Sequence, residues 1–403
     1  MRDAGEQAAF APALPFALVS DRETVVGKGS LGVVAPGTAP LEARVRALLA
    51  ARPEGPRLVL GALPFDAGAP AHLFQPAEVA RSGSRACFAA AFPPPALVRP
   101  ASAHPASGAA RRWTAHAEPS LAAYRAAVAE ALRRLERGDE GLRKVVLSRS
   151  LRLACDRPIE TSHVLRALAE DPLVTAYCVP LPERERGHAR ALVGATPELL
   201  VSRQGTQVLS RPLAGSARRS PDAGEDRAAA EALSASDKDR REHREVVTAI
   251  LDQLAPYCAE LGTPEGTGLT STATMWHLGT RIVGRLRDPS VSSVELATRL
   301  HPTPAVCGTP REAAAKLIAE LEGYDRGFYA GAVGWCDEAG DGAWHVAIRC
   351  AEIEGGQARL YAGAGIVPGS DPVAEGEETS AKFAALLRAL GVGEEDVPAE
   401  DME

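Results

Sequence analysis

Two short acidic patterns, Asp239-Arg-Arg-Glu242-His243 and Glu375-Gly-Glu-Glu378-Thr379, stand more than a hundred residues apart, each with apolar residues at helical spacing downstream. Residues three apart on a helix share a face, so Asp239 projects with Glu242, and Val246 and Ile250 carry that stripe into a core. Glu375 and Glu378 repeat the device ahead of Lys382 and Leu386. Like charges clustered on one face repel. A fold must therefore leave both acid faces in water or bring them to one cation. An all-oxygen set suits Mg2+, which keeps several waters and takes substrate oxygens as well. Taken alone, each pair reads equally as a solvated helix face.

The 403 residues suffice for one large or two ordinary domains, and 45% apolar with 24% charged residues describes a soluble globular chain. A net charge of −7 argues against a nucleic-acid binder, which shows a basic surplus or stripe. No apolar run approaches the roughly 18–20 residues of a membrane helix, and the stretch from Ala9 to Val19 is broken by Pro12 and Pro15. Neither a signal peptide nor an anchor is read. The cysteines at 87, 155, 178, 258, 307, 336 and 350 are odd in number, scattered and never C-x-x-C. They read as reduced thiols of a cytoplasmic protein rather than disulfides or zinc ligands.

Residues 1–110 mix short strands (Leu31 to Val34, Leu58 to Leu60) with Gly and Pro turns, and end in a Pro/Ala/Ser-rich connection from Phe92 to Ala110. Ser120 caps a helix striped by Leu121, Tyr124, Val128, Leu132 and Leu135 and stopped by Gly138. Then come a β-rich run from Lys144 to Leu153, a helix near 160–170, strands near 175–181 and 190–195, and a hairpin turning on Arg203-Gln-Gly-Thr206. Helical text runs from about 224 to 254. The last third alternates strands (Ala330 to Trp335, Trp344 to Cys350, Ala358 to Ala362) with helices near 310–321 and 375–391, and 394–403 reads as a frayed acidic tail. Mixed strands and helices with several hairpins predict an α+β architecture.

Eight blocks follow in order: Lys144-Val-Val-Leu-Ser-Arg149, Gly194-Ala-Thr-Pro-Glu-Leu-Leu200, Pro212-Leu-Ala-Gly-Ser-Ala-Arg-Arg219, Asp237-Lys-Asp-Arg-Arg-Glu-His243, His301-Pro-Thr-Pro-Ala305, Gly331-Ala-Val-Gly-Trp-Cys-Asp337, Ala347-Ile-Arg-Cys-Ala351 and Tyr361-Ala-Gly-Ala-Gly-Ile-Val-Pro368. Through them the chain resembles, over 117–392, the chorismate-utilising enzymes, most closely the isochorismate synthases of siderophore and menaquinone pathways. Residues 1–110 resemble the family weakly and read as the N-terminal part of the same fold. The resemblance implies a chorismate-binding fold of two packed β-sheets flanked by helices, with the active site between them.

Isomerisation of chorismate to isochorismate adds water at ring carbon 2 while the carbon 4 hydroxyl leaves, so it needs a base, an acid and a hold on the ring carboxylate. Lys144 heads an apolar strand, where desolvation favours the neutral amine of a general base; the same position suits an ordinary strand-end lysine. Glu198 follows Pro197 in an apolar turn, where a carboxyl tends to keep its proton, or caps a nearby N–H. The resemblance assigns the base to Lys144 and the acid to Glu198. It implies Mg2+ held by Glu242 and Glu378, with Asp239 and Glu375 flanking directly or through water; Asp239 is Glu in some relatives, which shortens its reach. It further implies substrate contacts from Arg349 and Tyr329 to the enolpyruvyl carboxylate, from Lys382 and His277 near the ring carboxylate, from Gly215 and Ser216 near carbons 2 and 4, and from Ala305, with Gly363 and Gly365 allowing close backbone approach. His277 alone reads as structural.

The fold hosts several reactions. Aminodeoxychorismate synthases carry a nucleophilic lysine where Ala214 stands here. Anthranilate synthases use ammonia, lack the water-activating lysine and recruit a glutaminase; Lys144 is present, and a monomer without a glutaminase partner is expected. Salicylate synthases share the base and acid but go on to eliminate pyruvate, and a non-catalytic chorismate-binding relative is a third reading. The His301 block and Gly334-Trp-Cys-Asp337 favour stopping at isochorismate.

Overall fold

A computed structural model describes residues 10–83, 86–92, 111–184 and 187–402. The strand Lys144–Cys155 buries its first eight residues without a break, as a strand covered on both faces must. It pairs antiparallel with Gln357–Ile366, Trp113–Glu118 and Gly308–Thr309. Among the described residues it belongs to a ten-stranded sheet that packs on a nine-stranded one, with a smaller three-stranded sheet formed by Leu213–Arg218, Thr267–Ser271 and Met275–Thr280. The ladders are antiparallel, and the α+β architecture of two large sheets flanked by helices agrees with the sequence reading.

Period-two alternation sorts side chains to two cores. Leu18, Tyr177 and Leu192 of the ten-stranded sheet meet Leu60, Val201 and Trp344 of the nine-stranded one between the layers. Their neighbours Ala17, Val19 and Val193 face outward with Leu151 and Leu153, under Val164, Leu165, Phe383 and Leu386 of the helices Thr161–Leu168 and Pro372–Leu390. The helix Leu121–Arg137 starts where Ser120 Oγ accepts the Ala123 N–H and stops at left-handed Gly138. Its buried Leu121, Val128 and Leu135 are each worth about 1.5–3 kcal/mol in transfer terms. Residues 16–82 contribute strands to both large sheets: Phe16–Val19, Thr24–Lys28 and Glu78–Ser82 to the ten-stranded, Gly32–Val33, Leu58–Leu63 and His72–Gln75 to the nine-stranded.

Two of the places where the chain passes from one sheet to the other are neighbours. Arg190–Thr196 of the ten-stranded sheet leads to Leu199–Gln204 of the nine-stranded, and Gly342–Val346 of the nine-stranded leads to Cys350–Glu354 of the ten-stranded. The two passages are tied to each other: Val346 N–H donates to Glu198 O and Ala195 N–H to Arg349 O, both at 3.1 Å.

Three expectations change. The helical text of 224–254 is two helices, Ala223–Ala235 and Asp237–Leu254, because Ser236 leaves the helical region and its Oγ caps Asp239 N–H at 3.2 Å. The run from Trp344 to Cys350 is broken by the second passage, where Arg349 takes a left-handed φ of 50°. The acidic tail is docked through residue 402. Asp401 carboxylate accepts Ala117 N–H at 3.2 Å, and Arg149, itself fully buried, donates to Asp401 O, Thr379 Oγ1 and Ser380 Oγ at 2.6–2.8 Å. The proline-rich stretch lies almost wholly outside the described residues. The seven cysteines are unpaired thiols, five of them buried. No described helix is long and apolar enough to cross a membrane.

Candidate active site

The two passages between the sheets, the Asp237–Leu254 and Pro372–Leu390 helices and the edge of the Gln357–Ile366 strand surround one cleft. Lined by Glu198, Glu242, His277, Tyr329, Arg349 and Glu378 among others, it also receives Gly215, Ser216, Ala305, Gly363, Gly365 and Lys382. Of the residues named from sequence, Lys144, Asp239 and Glu375 stand outside this lining, and Lys144 reaches it through Glu242.

Lys144 is fully buried, its Nζ 2.9 Å from Glu242 Oε1, near enough for an ion pair but not aligned for a hydrogen bond. Glu242 is the counter-ion that the sequence reading did not foresee. A side chain at Gly365 would run into the Glu242 carboxylate and come 3.1 Å from Lys144 Cε, so the absence of a Cβ there leaves room for the pair. Glu198 is 3% exposed on the first passage; burial pushes its carboxyl up to about 8, opposed by the charge of Lys144 and a hydrogen bond from the Leu213 backbone. A carboxyl so placed carries its proton at neutral pH and gives it up above about 8.

Ser216 Oγ donates to Glu378 Oε1 at 2.7 Å, and Lys382 Nζ bridges Glu378 and Gly363 O, the latter at 2.7 Å. Glu375, 2% exposed, is paired with Lys238 Nζ at 2.6 Å. Gly215 adopts φ +75° at an irregularity in its ladder, and a Cβ there would lie 2.9 Å from Asp239 Cβ. Burial and then Glu378 raise the Glu375 carboxyl. Burial also raises Asp239, with Glu242 and Glu378 adding to the rise against Ser236 and Lys238. Burial works against ionisation of Glu378, yet Lys382 and Ser216 hold it below the usual carboxylate range.

Among the described residues no three acids form a ready cation cage. The sequence reading brings four acids to one ion; the structure interposes the ammonium groups of Lys144, Lys238 and Lys382, each beside one acid. The donor set nevertheless fits a hard dication: Glu242 and Glu378 both open on the cleft, both act on Asp239, and the Ser216 hydroxyl stands beside Glu378.

Arg349 occupies the second passage with no ion-pair partner among the described residues; burial lowers its pKa from the ordinary value, with Glu378 and Tyr329 opposing. Tyr329 lies flat on Tyr361, centroids 4.8 Å apart and planes within 7°. His277 is held neutral, its pKa brought down to about 3 by burial and by Arg349 and Lys382. Its Nδ1 faces Gly215 O at 3.4 Å and its buried Nε2 has no partner. An unpaired guanidinium and an orphaned imidazole nitrogen facing one cleft call for an anionic, oxygen-rich ligand. Ala330, next to Tyr329, has a left-handed φ of 58°, as does Arg349 at 50°. Such conformations cost about 1–3 kcal/mol each and cluster at functional sites.

Sequence reading missed Lys238, which stands inside the Asp237-Lys-Asp239 block and was legible there as a cation among acids. It also missed Val146, Val306 and Tyr361 of the lining. Tyr361 opens the Tyr361-Ala-Gly block; the two valines carry no signal beyond apolarity.

A model of the family described as chorismate binding enzyme matches residues 96–391. The chain is 47% identical over 339 residues to the isochorismate synthase DhbC of Bacillus subtilis (strain 168), covering 83% of this chain and 81% of that one. It is 40% identical over 341 residues to the vibriobactin-specific isochorismate synthase of Vibrio cholerae, covering 84% and 81%. Among solved structures it superposes on MenF, the menaquinone-specific isochorismate synthase from Escherichia coli, with a TM-score of 0.77 and 25% identity over 96% of this chain and 92% of that one.

Proposed function

The chain belongs to the chorismate binding enzymes and isomerises chorismate to isochorismate, and we propose that it does so with Lys144 as general base and Glu198 as general acid. In this reading Lys144 acts as the free amine and takes a proton from the water that attacks ring carbon 2. The ring double bonds shift, and Glu198 delivers its proton to the carbon 4 hydroxyl, which leaves as water; the net change is an isomerisation. Arg349 and Tyr329 hold the enolpyruvyl carboxylate, while His277 and Lys382 face the ring carboxylate. Glu242 and Glu378, flanked by Asp239 and Glu375, would hold Mg2+, which when bound neutralises the ring carboxylate and draws electron density from the ring. Water rather than ammonia as nucleophile fits a chain acting as a monomer without a glutaminase.

The observation that carries this reading is an amine buried directly behind a cleft that a proton-bearing carboxyl lines, close enough for the charge of Lys144 to act on Glu198. The test is incubation of the protein with chorismate, with and without Mg2+, followed by product chromatography. Isochorismate alone, dependent on Mg2+, is the expected outcome. Salicylate with pyruvate would replace it with the lyase reading, and no turnover would leave a chorismate-binding relative.

The acid also sets a pH limb. Since Glu198 is protonated below about 8, kcat/KM is expected to fall about tenfold per pH unit above that value, as the free enzyme loses its acid. A profile that stays level from pH 7 to 9.5 would remove Glu198 from the acid role.

A further inference from the structure

Bonded to the cleft lining from outside it lies a polar cluster that the reaction above does not use. Glu322 ends the helix Arg311–Glu322, and Arg326 stands in the turn that follows; both side chains are 2% exposed. Glu322 Oε1 accepts the Ser148 N–H at 2.6 Å and Ser148 Oγ at 2.9 Å, and Glu322 Oε2 accepts Arg326 Nε at 2.8 Å. Arg326 Nη2 donates both to Glu322 and, at 2.8 Å, to Val146 O, while Nη1 donates to Val306 O at 2.7 Å. Tyr324 OH lies 2.6 Å from Ser148 Oγ, and Arg326 O accepts Tyr329 N–H at 2.9 Å. The guanidinium lies over Phe65, 4.3 Å from its centroid.

Three separate stretches of chain are thereby joined at the Glu322–Arg326 pair: the strand that begins with Lys144, through Val146 O on the guanidinium and Ser148 on the Glu322 carboxylate; the turn that holds Ala305, through Val306 O on the guanidinium; and the turn that holds Tyr329, whose N–H donates to the Arg326 backbone carbonyl. Val146, Val306, Ala305 and Tyr329 line the cleft, whereas Glu322 and Arg326 do not. In an extended strand Lys144, Val146 and Ser148 project to one face, so fixing the last two fixes the direction of the first. A buried ion pair contributes little net stability against an apolar pair of equal volume, so such a pair is explained better by the geometry it imposes.

We propose that the Glu322–Arg326 pair is a positioning device for this reaction, holding the Lys144 strand and the Tyr329 turn in one frame without touching substrate. The proposal rests on the reading of the cleft given above. Its test is the double variant E322L/R326M, which removes both charges and keeps most of the volume, assayed beside wild type for isochorismate formation and thermal unfolding. The variant is expected to fold with its melting temperature within about 5 °C of wild type. Its kcat is expected to fall about 10–100-fold, since displacement of reacting groups by about 1 Å costs that much, with KM within about threefold. The variant R326K keeps the charge but cannot span two carbonyls and a carboxylate in a fixed fork, so it is expected to lose kcat as well.

A double variant that folds and keeps kcat within about twofold, one that does not fold, or full activity in R326K would each overturn the assignment in favour of a purely structural pair or of charge alone. Wild type run in parallel keeps the two readings apart. If wild type makes no isochorismate, the reaction itself is wrongly assigned; if it does and the folded variant matches it, only the role of the pair fails.

Discussion

Lys144→Ala should abolish isochorismate formation, lowering kcat by about 10²–10⁴-fold, the range that loss of a positioned general base produces. Substrate binding should survive, because Arg349, Tyr329, His277 and Lys382 are separate from the amine. The substitution also leaves Glu242 without its neighbour at 2.9 Å. Breaking a dry buried pair costs about 3–5 kcal/mol, and less here because Glu242 opens on the cleft and can take water. Lys144→Met, which fills most of the lost volume, separates packing from chemistry: it should melt closer to wild type and be equally inactive. Chorismate binding by calorimetry alongside single-turnover product analysis checks both halves. Full activity in either variant would remove Lys144 from the base role.

Gly365→Ala should lower activity by about 10²-fold in a protein that still folds. The atoms nearest the added methyl are the Glu242 carboxylate and then Lys144 Cε, the outer ends of two flexible side chains. The strand can therefore stay in its ladder with Val146 while the ion pair is pushed aside. Two readouts bear on this. Circular dichroism should be unchanged, and the Mg2+ concentration needed for half-maximal activity should rise, since Glu242 is one of the proposed ligands. An alanine variant with wild-type turnover and metal dependence would show that the carboxylate has more freedom than the packing allows.

What the sequence reveals here follows the range of the forces involved. The Leu121–Arg137 helix is legible end to end because its cap, its apolar stripe and its terminal glycine are all local. The hairpin at Gly205 is legible because it needs a left-handed residue at one position. The break at Ser236 is harder, since a serine inside helical text caps a second helix only if the chain turns there. Nothing local distinguishes Arg349 or Ala330, whose left-handed conformations are imposed by the passage between sheets and by the Ala330 N–H to Ala347 O bond. The acids show the same divide. Their spacing places them on two helix faces, and Lys382 meets Glu378 one turn back on its own helix, a local pairing, whereas only tertiary structure assigns Lys144 to Glu242 and Lys238 to Glu375. The tail at 394–402 has a disordered composition and is nonetheless held, because Arg149 lies buried and its donors need acceptors.

Glu198 and Arg349 are about 150 residues apart in sequence but ride on adjoining strides of backbone laced to each other. If the sandwich breathes, its outer edges travel furthest and this seam least, as the spine of a book barely moves when the covers open. Proton donor and anion anchor would then keep their spacing through thermal motion, and rim strands could drift in composition among relatives without disturbing the distance that matters for turnover.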